Sequence, residues 1–495
     1  MKTQRLYLYG SIIGRNNDPG NYATQDQFFT NYYPEVITNA VNGKSRVYTS
    51  KRPGFSSSSA LTGVLNGSFA ACVFSGSSTS PSPVVFAAGM VGQMSTSVWT
   101  SQSVQVGNTI TSTQQCVSLT ETVINDQGHL VGIFRSSATN STEAWYYPEG
   151  DNWTKIVHTS FPADIIGPPA HMDGYSFYMT KRGVIWNTTQ NTVSTTIPTA
   201  FVTAQSMPDG GCGLARYKNL IVAFGKGSIE FFQNAGLNPA PLIPIGNAVN
   251  RIGAVPPENN APTTIYPVAN TVYWIGVNSE TGQKGFYRLN GYSAEKVSNS
   301  TIDKLINSNV ITGIAGAFTA NGMSHVMTYT SSGVPNKYCF CVDTNTWWIF
   351  TASAFETPTA IIGSSGNSYM VTLDNAKIYS MFSSSVVYQD GGITHIGVLQ
   401  TAPIDHGTMN KKFFHRFKVV GDLQNSTSVL SVSYSDDDYR TSSIPRTIES
   451  NSIIEMTNGL TRLGSSRRRA WKMTHNSAAP SRIEAIELDY EVGPT

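Results

Sequence analysis

Apolar residues along this chain come in short runs broken by glycine, asparagine and serine, and they rarely recur at helical spacing. The pattern is plainest between Arg216 and Leu305. Leu220-Ile221-Val222-Ala223-Phe224 runs into Gly225-Lys226-Gly227, then Ser228-Ile229-Glu230-Phe231-Phe232, closed by Asn234, Gly236 and Pro241. Two β-branched and aromatic runs around so short a glycine turn predict a hairpin. A second hairpin is predicted from Val272-Tyr273-Trp274-Ile275, a turn through Asn278 to Gly282, and Phe286-Tyr287-Arg288-Leu289 before Gly291. Helix is scarce, with Ile302 to Asn307 among the few short candidates.

The strand groups repeat. Their first apolar residues are Leu130, Tyr175, Leu220, Val272, Val326 and Tyr369, at intervals of 43 to 54 residues. A period near ~45 with several short strands per unit predicts four-stranded propeller blades, about six of them. Within a unit the order is strand, glycine turn, strand, as in Tyr175 to Met179, Lys181-Arg182-Gly183 and Val184-Ile185-Trp186. Two units end in similar corners, Glu149-Gly150-Asp151-Asn152-Trp153 and Asp343-Thr344-Asn345-Thr346-Trp347. There an Asp or Asn side chain should accept from backbone amides two residues on, while the Trp ring packs on the blade. Residues from about Gly392 to Thr495 hold longer alternating strands, Phe413 to Val420 and Val429 to Tyr434, without this punctuation. The expected fold is all-β: a propeller over 61–391, a β-sandwich-like C-terminal domain over 392–495, and an N-terminal arm and lead-in strand over 1–60.

The order Phe224-Gly225, Ser228, Glu230-Phe231, Asn234, Gly236, Pro241, and then Asn270 to Ser300, resembles the tail nozzle, or packaged-DNA stabilisation, proteins of short-tailed bacteriophages. Asn31-Tyr32-Tyr33-Pro34-Glu35 with Lys51-Arg52-Pro53-Gly54 is similar to that family's N-terminal Asn-x-Tyr-x-Glu and Thr-Pro-Gly-Leu pattern, from which Lys51-Arg52 and Phe55 depart. Near the C-terminus, Ser433 to Asp437, Arg440-Thr441, Arg462-Leu463-Gly464 and Arg467 to Arg469 resemble its Ser-Asp-Asp-Gly-Gly-Arg-Thr-Trp and Leu-Gly-x-x-Arg signature. Asp438, Tyr439 and Ser442 stand where Gly, Gly and Trp would be expected. The resemblance marks Phe224, Gly225, Ser228, Glu230, Asn234, Gly236, Ser435, Asp437, Arg440 and Gly464 as structural signature positions. It implies a virion tail protein, assembled in the host cytoplasm as a ring of six copies. Its implied partners are a portal-adaptor ring protein, tailspikes or tail fibres, and a tail plug or needle, with double-stranded DNA passing through.

Composition limits the alternatives. Only 13% of the 495 residues are charged and the formal charge is +2, so no global field steers the chain to nucleic acid or to an anionic membrane. No apolar run suits a signal peptide near Met1 to Gly10 or a membrane span elsewhere, which leads to the expectation of a chain made and kept in the cytosol. The cysteines at 72, 116, 212, 339 and 341 have no zinc spacing, and Cys339 and Cys341 are expected as buried thiols on one strand face.

Motifs for chemistry are missing. Gly225-Lys226-Gly227-Ser228 lacks the order of a phosphate-binding loop, no His-Glu-x-x-His or Gly-x-Ser-x-Gly run occurs, and the eight histidines are scattered. Asp436-Asp437-Asp438 is the densest charge cluster, but Tyr439-Arg440-Thr441 does not continue a calcium loop. Ser435, Asp437 and Thr441 match instead the turn called an Asp box. No catalytic residue, cofactor or metal is therefore assigned. Arg462, Arg467 and Arg469 are candidates for an interchain or phosphate contact, with Arg467 and Arg469 expected on one strand face and Arg468 on the other. The rival reading is a glycan-binding or glycan-cleaving propeller, a depolymerase or sialidase-like protein, which needs an aromatic platform with carboxylates; Trp145, Tyr146 and Tyr147 lie beside Glu149 and Asp151, but adjacent Trp and Tyr more often pack a blade than hold a sugar. A regulatory protein-binding propeller fits less well, for want of a regular Trp-Asp or Gly-Gly signature in each unit.

Overall fold

The computed structural model describes residues 2–8, 28–38, 45–60, 70–74, 82–87, 90–95, 98–101, 110, 114–136, 139–157, 161–204, 206–256, 263–268, 270–331, 334–352, 358–364, 367–372, 377–382, 388–422, 424, 428–449 and 459–494. Both predicted hairpins form. Leu220–Gly225 pairs antiparallel with Ile229–Asn234, and Thr271–Asn278 with Lys284–Asn290. The helix is Ser300–Asn307, begun by Asn299, whose side chain accepts from the Ile302 amide at 3.0 Å.

Among the described residues, seven four-stranded units form a propeller, one more than the period suggested. Six follow in sequence over 71–101, 114–155, 165–203, 211–250, 252–296 and 311–350. In the fifth, Ile252–Ala254 and Ile265–Val268 lie end to end along Thr271–Asn278 and share the innermost position. The seventh takes three strands from 358–381 and its outer strand, Phe55–Ala60, from the other end of the chain. Innermost strands touch their neighbours around a complete circle, from Ala71–Phe74 through Pro358–Ser364 and back to Ala71–Phe74. The supply of the last blade's outer strand from the N-terminal side ties the ring shut.

The additional unit is a two-sheet sandwich. One sheet runs Tyr32–Thr38, Ser45–Lys51, Arg482–Val492, Lys412–Gly421, Leu460–Thr461, with Lys2–Tyr7 also paired to Arg482–Val492. The other runs Phe28–Thr30, Gly397–Gln400, Ala470–His475, Val429–Ser435, Arg446–Glu449. Alternation puts Phe414, Phe417, Val419, Ile486 and Leu488 of the first against Leu430, Val432, Trp471 and Met473 of the second, with the Phe417 and Trp471 rings 4.6 Å apart. Four of the five N-terminal strands thus sit in the sandwich and the fifth in the propeller, so the segment expected as an arm and lead-in strand is distributed between the two. Ser56 to Ser59 of the serine run belong to that fifth strand.

Propeller and sandwich share one apolar core, which runs from blades five, six and seven into both sheets. A buried polar joint crosses the same boundary. Arg52 spends all five of its N–H groups: on Asn31 Oδ1, on the Pro53 and Thr351 carbonyls, and on both Asp390 oxygens. Its guanidinium lies 4.3 Å over Phe350 of the sixth blade. Asn31 adds bonds to Thr351 Oγ1 and the Ile396 carbonyl, both at 2.8 Å. Lys51 beside it is also buried, its Nζ 3.2 Å from His475 Nδ1 and donating to the Ser477 carbonyl at 2.9 Å. Burial, then the neighbouring Arg52, lowers the Lys51 ammonium to a pKa of about 7.

Candidate functional site

The signature residues around Gly225 form a joint between blades. Asp209, from the loop leading into the fourth blade, reaches into the turn and accepts from the Gly227 amide at 2.6 Å and the Ser228 hydroxyl at 3.0 Å. A Cβ on Gly225 would stand 2.6 Å from that carboxylate, so a side chain there would displace Asp209 from the turn. On the other side the turn abuts Gly253 of the fifth blade, where a Cβ would meet the Lys226 carbonyl carbon at 2.2 Å. Glu230 is buried and accepts from the Ser206 amide at 2.8 Å. Phe224 is fully buried, its ring 5.5 Å from Trp274 in the next blade. Asn234 reaches back to Asp173 of the third blade at 2.8 Å and accepts from the amide of Gly236, whose φ of 66° suits glycine. These positions lock blades three, four and five together. Sequence reading missed Asp209 and Gly253, which stand outside the hairpin pattern.

The C-terminal signature forms a turn at one end of the sandwich. Asp437 accepts from the Thr441 hydroxyl and amide and from the Ser435 hydroxyl, bonds that hold its carboxyl down at about 2. Asp436 binds Arg469 through both oxygens, and Asp438 pairs with Arg468. The three carboxylates therefore point to separate partners, and among the described residues no three His, Cys, Asp or Glu side chains gather in the manner of a metal site. Asp438 and Tyr439, which replace the expected glycines, both adopt left-handed backbone, φ 58° and 64°. Gly464 likewise has φ 74°, and its carbonyl accepts from the Phe414 amide.

The basic candidates part company. Arg469 is only 1% exposed, clasped by Asp436 and the Leu463 carbonyl, with its guanidinium 3.9 Å over Tyr434 and 4.5 Å over Phe414. It cannot meet a phosphate or a second chain, because every face of the group is already covered. Arg467 is exposed and donates to the Met409 carbonyl, and Arg462 and Arg440 are exposed as well. Simple strand alternation fails here because the strand ends at Ser466.

Trp145 and Trp153 are buried among Phe134 and neighbouring rings, and Tyr147 stacks on Trp153, so this aromatic group is blade packing rather than an open sugar platform. The corner aspartates act locally but not as expected. Asp151 accepts from the amide of the very next residue, and Asp343 from Ser324 across the neighbouring hairpin. Cys339 and Cys341 are buried, and burial pushes both thiols up.

At the hub of the ring, six of the seven blades line a cavity of about 470 Å³. Most of its lining residues are small or apolar, with Ser118, Thr120, Glu121, Thr263 and Tyr266 as polar members. His171 stands beside it, 3.1 Å from Thr120 Oγ1, and burial lowers its imidazole to about 4. The volume suits a small molecule (~300–1,000 Å³). Duplex DNA, whose major groove alone is about 12 Å wide, does not fit.

Residues 19–318, more than half of the chain and most of the propeller, match the family model described as "Bacteriophage P22 Gp10, beta-propeller". The chain belongs to this phage stabilisation family. The motifs around Gly225 lie inside the matched segment, and membership makes the chain a phage structural protein of the tail nozzle class. No curated protein matches it. Among solved structures it is similar to a chain of the "Mitotic Checkpoint Complex" (TM-score 0.35, 9% identity, covering 66% of this chain and 92% of that one). It is also similar to "YCF48 bound to D1 peptide" (0.39, 10%, 71% and 98%) and to the computationally designed Ika8 protein (0.37, 10%, 66% and 100%). Likeness at this level carries no functional argument. Among the described residues, no helix of this phage stabilisation family member is long and apolar enough to cross a membrane.

Proposed function

We propose that the chain is the subunit of a hexameric tail nozzle through which a short-tailed phage releases its DNA. Family membership across the propeller carries this reading. The subunit is a rigid structural part and catalyses nothing. Six copies, joined below the portal-adaptor ring, surround the conduit, help retain packaged DNA, and offer docking surfaces for tailspikes or fibres and for a plug or needle. Assembly takes place in the host cytoplasm and the protein ends in the virion tail.

Physical constraints give the proposal shape. The hub of the propeller is too small for a duplex, so the DNA path lies between subunits and not along a propeller axis. Low charge suits a passage for DNA, because a strongly basic wall would hold phosphates and slow exit. A shared core and the Arg52 joint let propeller and sandwich bear load as one body. Native mass spectrometry and electron-microscope class averages of the protein, alone and with the adaptor protein, test the proposal. Six-fold rings capping the adaptor are expected; a monomer or trimer that ignores the adaptor would overturn it.

A further inference from the structure

Three loops separated in sequence meet at one end of the sandwich, opposite the strand ends that connect to the propeller. They are 404–412, 436–446 and 462–469. Contacts bind them together: Arg467 donates to the Met409 carbonyl, Lys412 to the Thr408 and Arg467 carbonyls, Arg468 pairs with Asp438 and Arg469 with Asp436. The loops hold eight Lys and Arg against four Asp, a surplus of four on a chain whose whole formal charge is +2. The acidic members are already engaged. Asp436 and Asp438 have their arginines, Asp437 accepts from Thr441, and Asp405 accepts from the Gly407 amide. Lys411, Arg440, Arg446, Arg462 and Arg467 remain exposed and without a carboxylate partner among the described residues.

Apolar side chains project from the same loops. Ile444 is 86% exposed between Arg440 and Arg446, and Met409 is 58% exposed beside Lys411 and Arg467. Two of the three loops thus have an apolar tip, and cations of all three surround them. We propose that this end of the sandwich docks on an anionic lipid surface, its arginines and Lys411 meeting headgroup phosphates while Ile444 and Met409 enter between the headgroups. Nucleic acid would satisfy the cations equally well, but its phosphates offer nothing to two projecting apolar side chains. The charge and the tips together select lipid. Such docking needs the loops alone and is independent of ring assembly.

Co-sedimentation with vesicles tests it. The full chain is mixed with vesicles of phosphatidylcholine containing one-third phosphatidylglycerol, and with pure phosphatidylcholine vesicles. At least tenfold preference for the anionic vesicles is expected at about 50 mM salt, shrinking at about 300 mM as charges are screened. The triple variant Arg440→Gln, Arg462→Gln, Arg467→Gln should lose roughly a hundredfold in partition. The charge-neutral pair Ile444→Ser and Met409→Ser should lose roughly tenfold or more while leaving the circular dichroism spectrum unchanged. Absence of preference for anionic vesicles overturns the proposal. So does unchanged vesicle binding by the serine variant, and so does duplex DNA binding that matches vesicle binding and responds only to the arginine changes.

Discussion

Replacing Arg52 by methionine tests the joint between propeller and sandwich. Methionine keeps much of the stem's packing but removes five N–H donors and one charge. Asn31 keeps a donor in the Thr351 amide at 3.0 Å, whereas the Pro53 and Thr351 carbonyls lose theirs. Asp390 suffers most. Burial alone would push its carboxyl up, but Arg52 and His395 outweigh burial and hold it below the usual carboxylate range. Without Arg52, its nearest titratable neighbour is His395, whose Nδ1 is 3.4 Å away. That imidazole is itself lowered to about 4, first by burial and then by Arg52. Removing one member of a buried ion pair typically costs about 3–5 kcal/mol, and complete burial on both sides argues for that range here. Urea denaturation followed by tryptophan fluorescence would measure it, since Trp347 and Trp348 share a strand with Phe350, on which Arg52 stacks. Arg52→Met with Asp390→Leu should cost less than Arg52→Met alone, because no charge is then left buried. A cost below about 1 kcal/mol for Arg52→Met would refute the reasoning and mean that water enters the joint.

Four further outcomes are expected. Lys51→Met should raise stability by about 1–3 kcal/mol near pH 7.5. The wild-type lysine titrates at about 7 when folded and near its ordinary value when unfolded, so its contribution is lost as pH falls toward 7, and the gain from methionine should shrink at higher pH in denaturation midpoints. Burial lowers His325 and His475 to about 3 and His395 and His406 to about 4. The unfolded chain takes up those protons near pH 6.5, so stability is intact above that range and falls as pH drops toward 4. His325→Phe should flatten the slope of unfolding free energy by about 1.4 kcal/mol per pH unit between those values. At the C-terminal turn, Asp438→Gly should be neutral to stabilising by about 1 kcal/mol, since it relieves left-handed backbone and loses only an exposed ion pair. Thermal melts would check both: Tyr439→Gly should destabilise, because the Tyr439 hydroxyl donates to the Thr401 and Trp471 carbonyls.

Local pattern was legible where neighbours in sequence are neighbours in space. All six anchor residues of the period, Leu130 through Tyr369, fall on the second strand of six consecutive blades. The blade that went unnoticed, at 71–101, has its second strand at Ser82–Ala87, and Val85 stands 45 residues before Leu130. Serine, proline and glycine around that strand dilute the apolar contrast on which the period was read. The two glycine-replacing residues, Asp438 and Tyr439, do take glycine-like backbone, so the signature survived substitution at the level of conformation. What could not be read were pairings between distant segments. Nothing near Lys51-Arg52 announces Asp390 or His475, and nothing in the Arg467 to Arg469 run distinguishes the one arginine that turns inward. Burial there is decided by Asp436 and by Phe414 and Tyr434, which belong to other strands.

The closure of the ring by Phe55–Ala60 has a consequence in time. That strand leaves the ribosome early, yet its partner, Lys377–Met381, emerges more than three hundred residues later. Translation at ~5–20 residues per second makes that a wait of roughly 15–60 seconds. Lys2–Tyr7 waits longer still, for Arg482–Val492. A nascent or prematurely ended polypeptide therefore carries unmatched strand edges and a solitary Arg52, and only the finished one can hide them. The fold closes only once Arg482–Val492 has been made, so that a copy ending before it is marked for aggregation or proteolysis before it can be built into a larger structure.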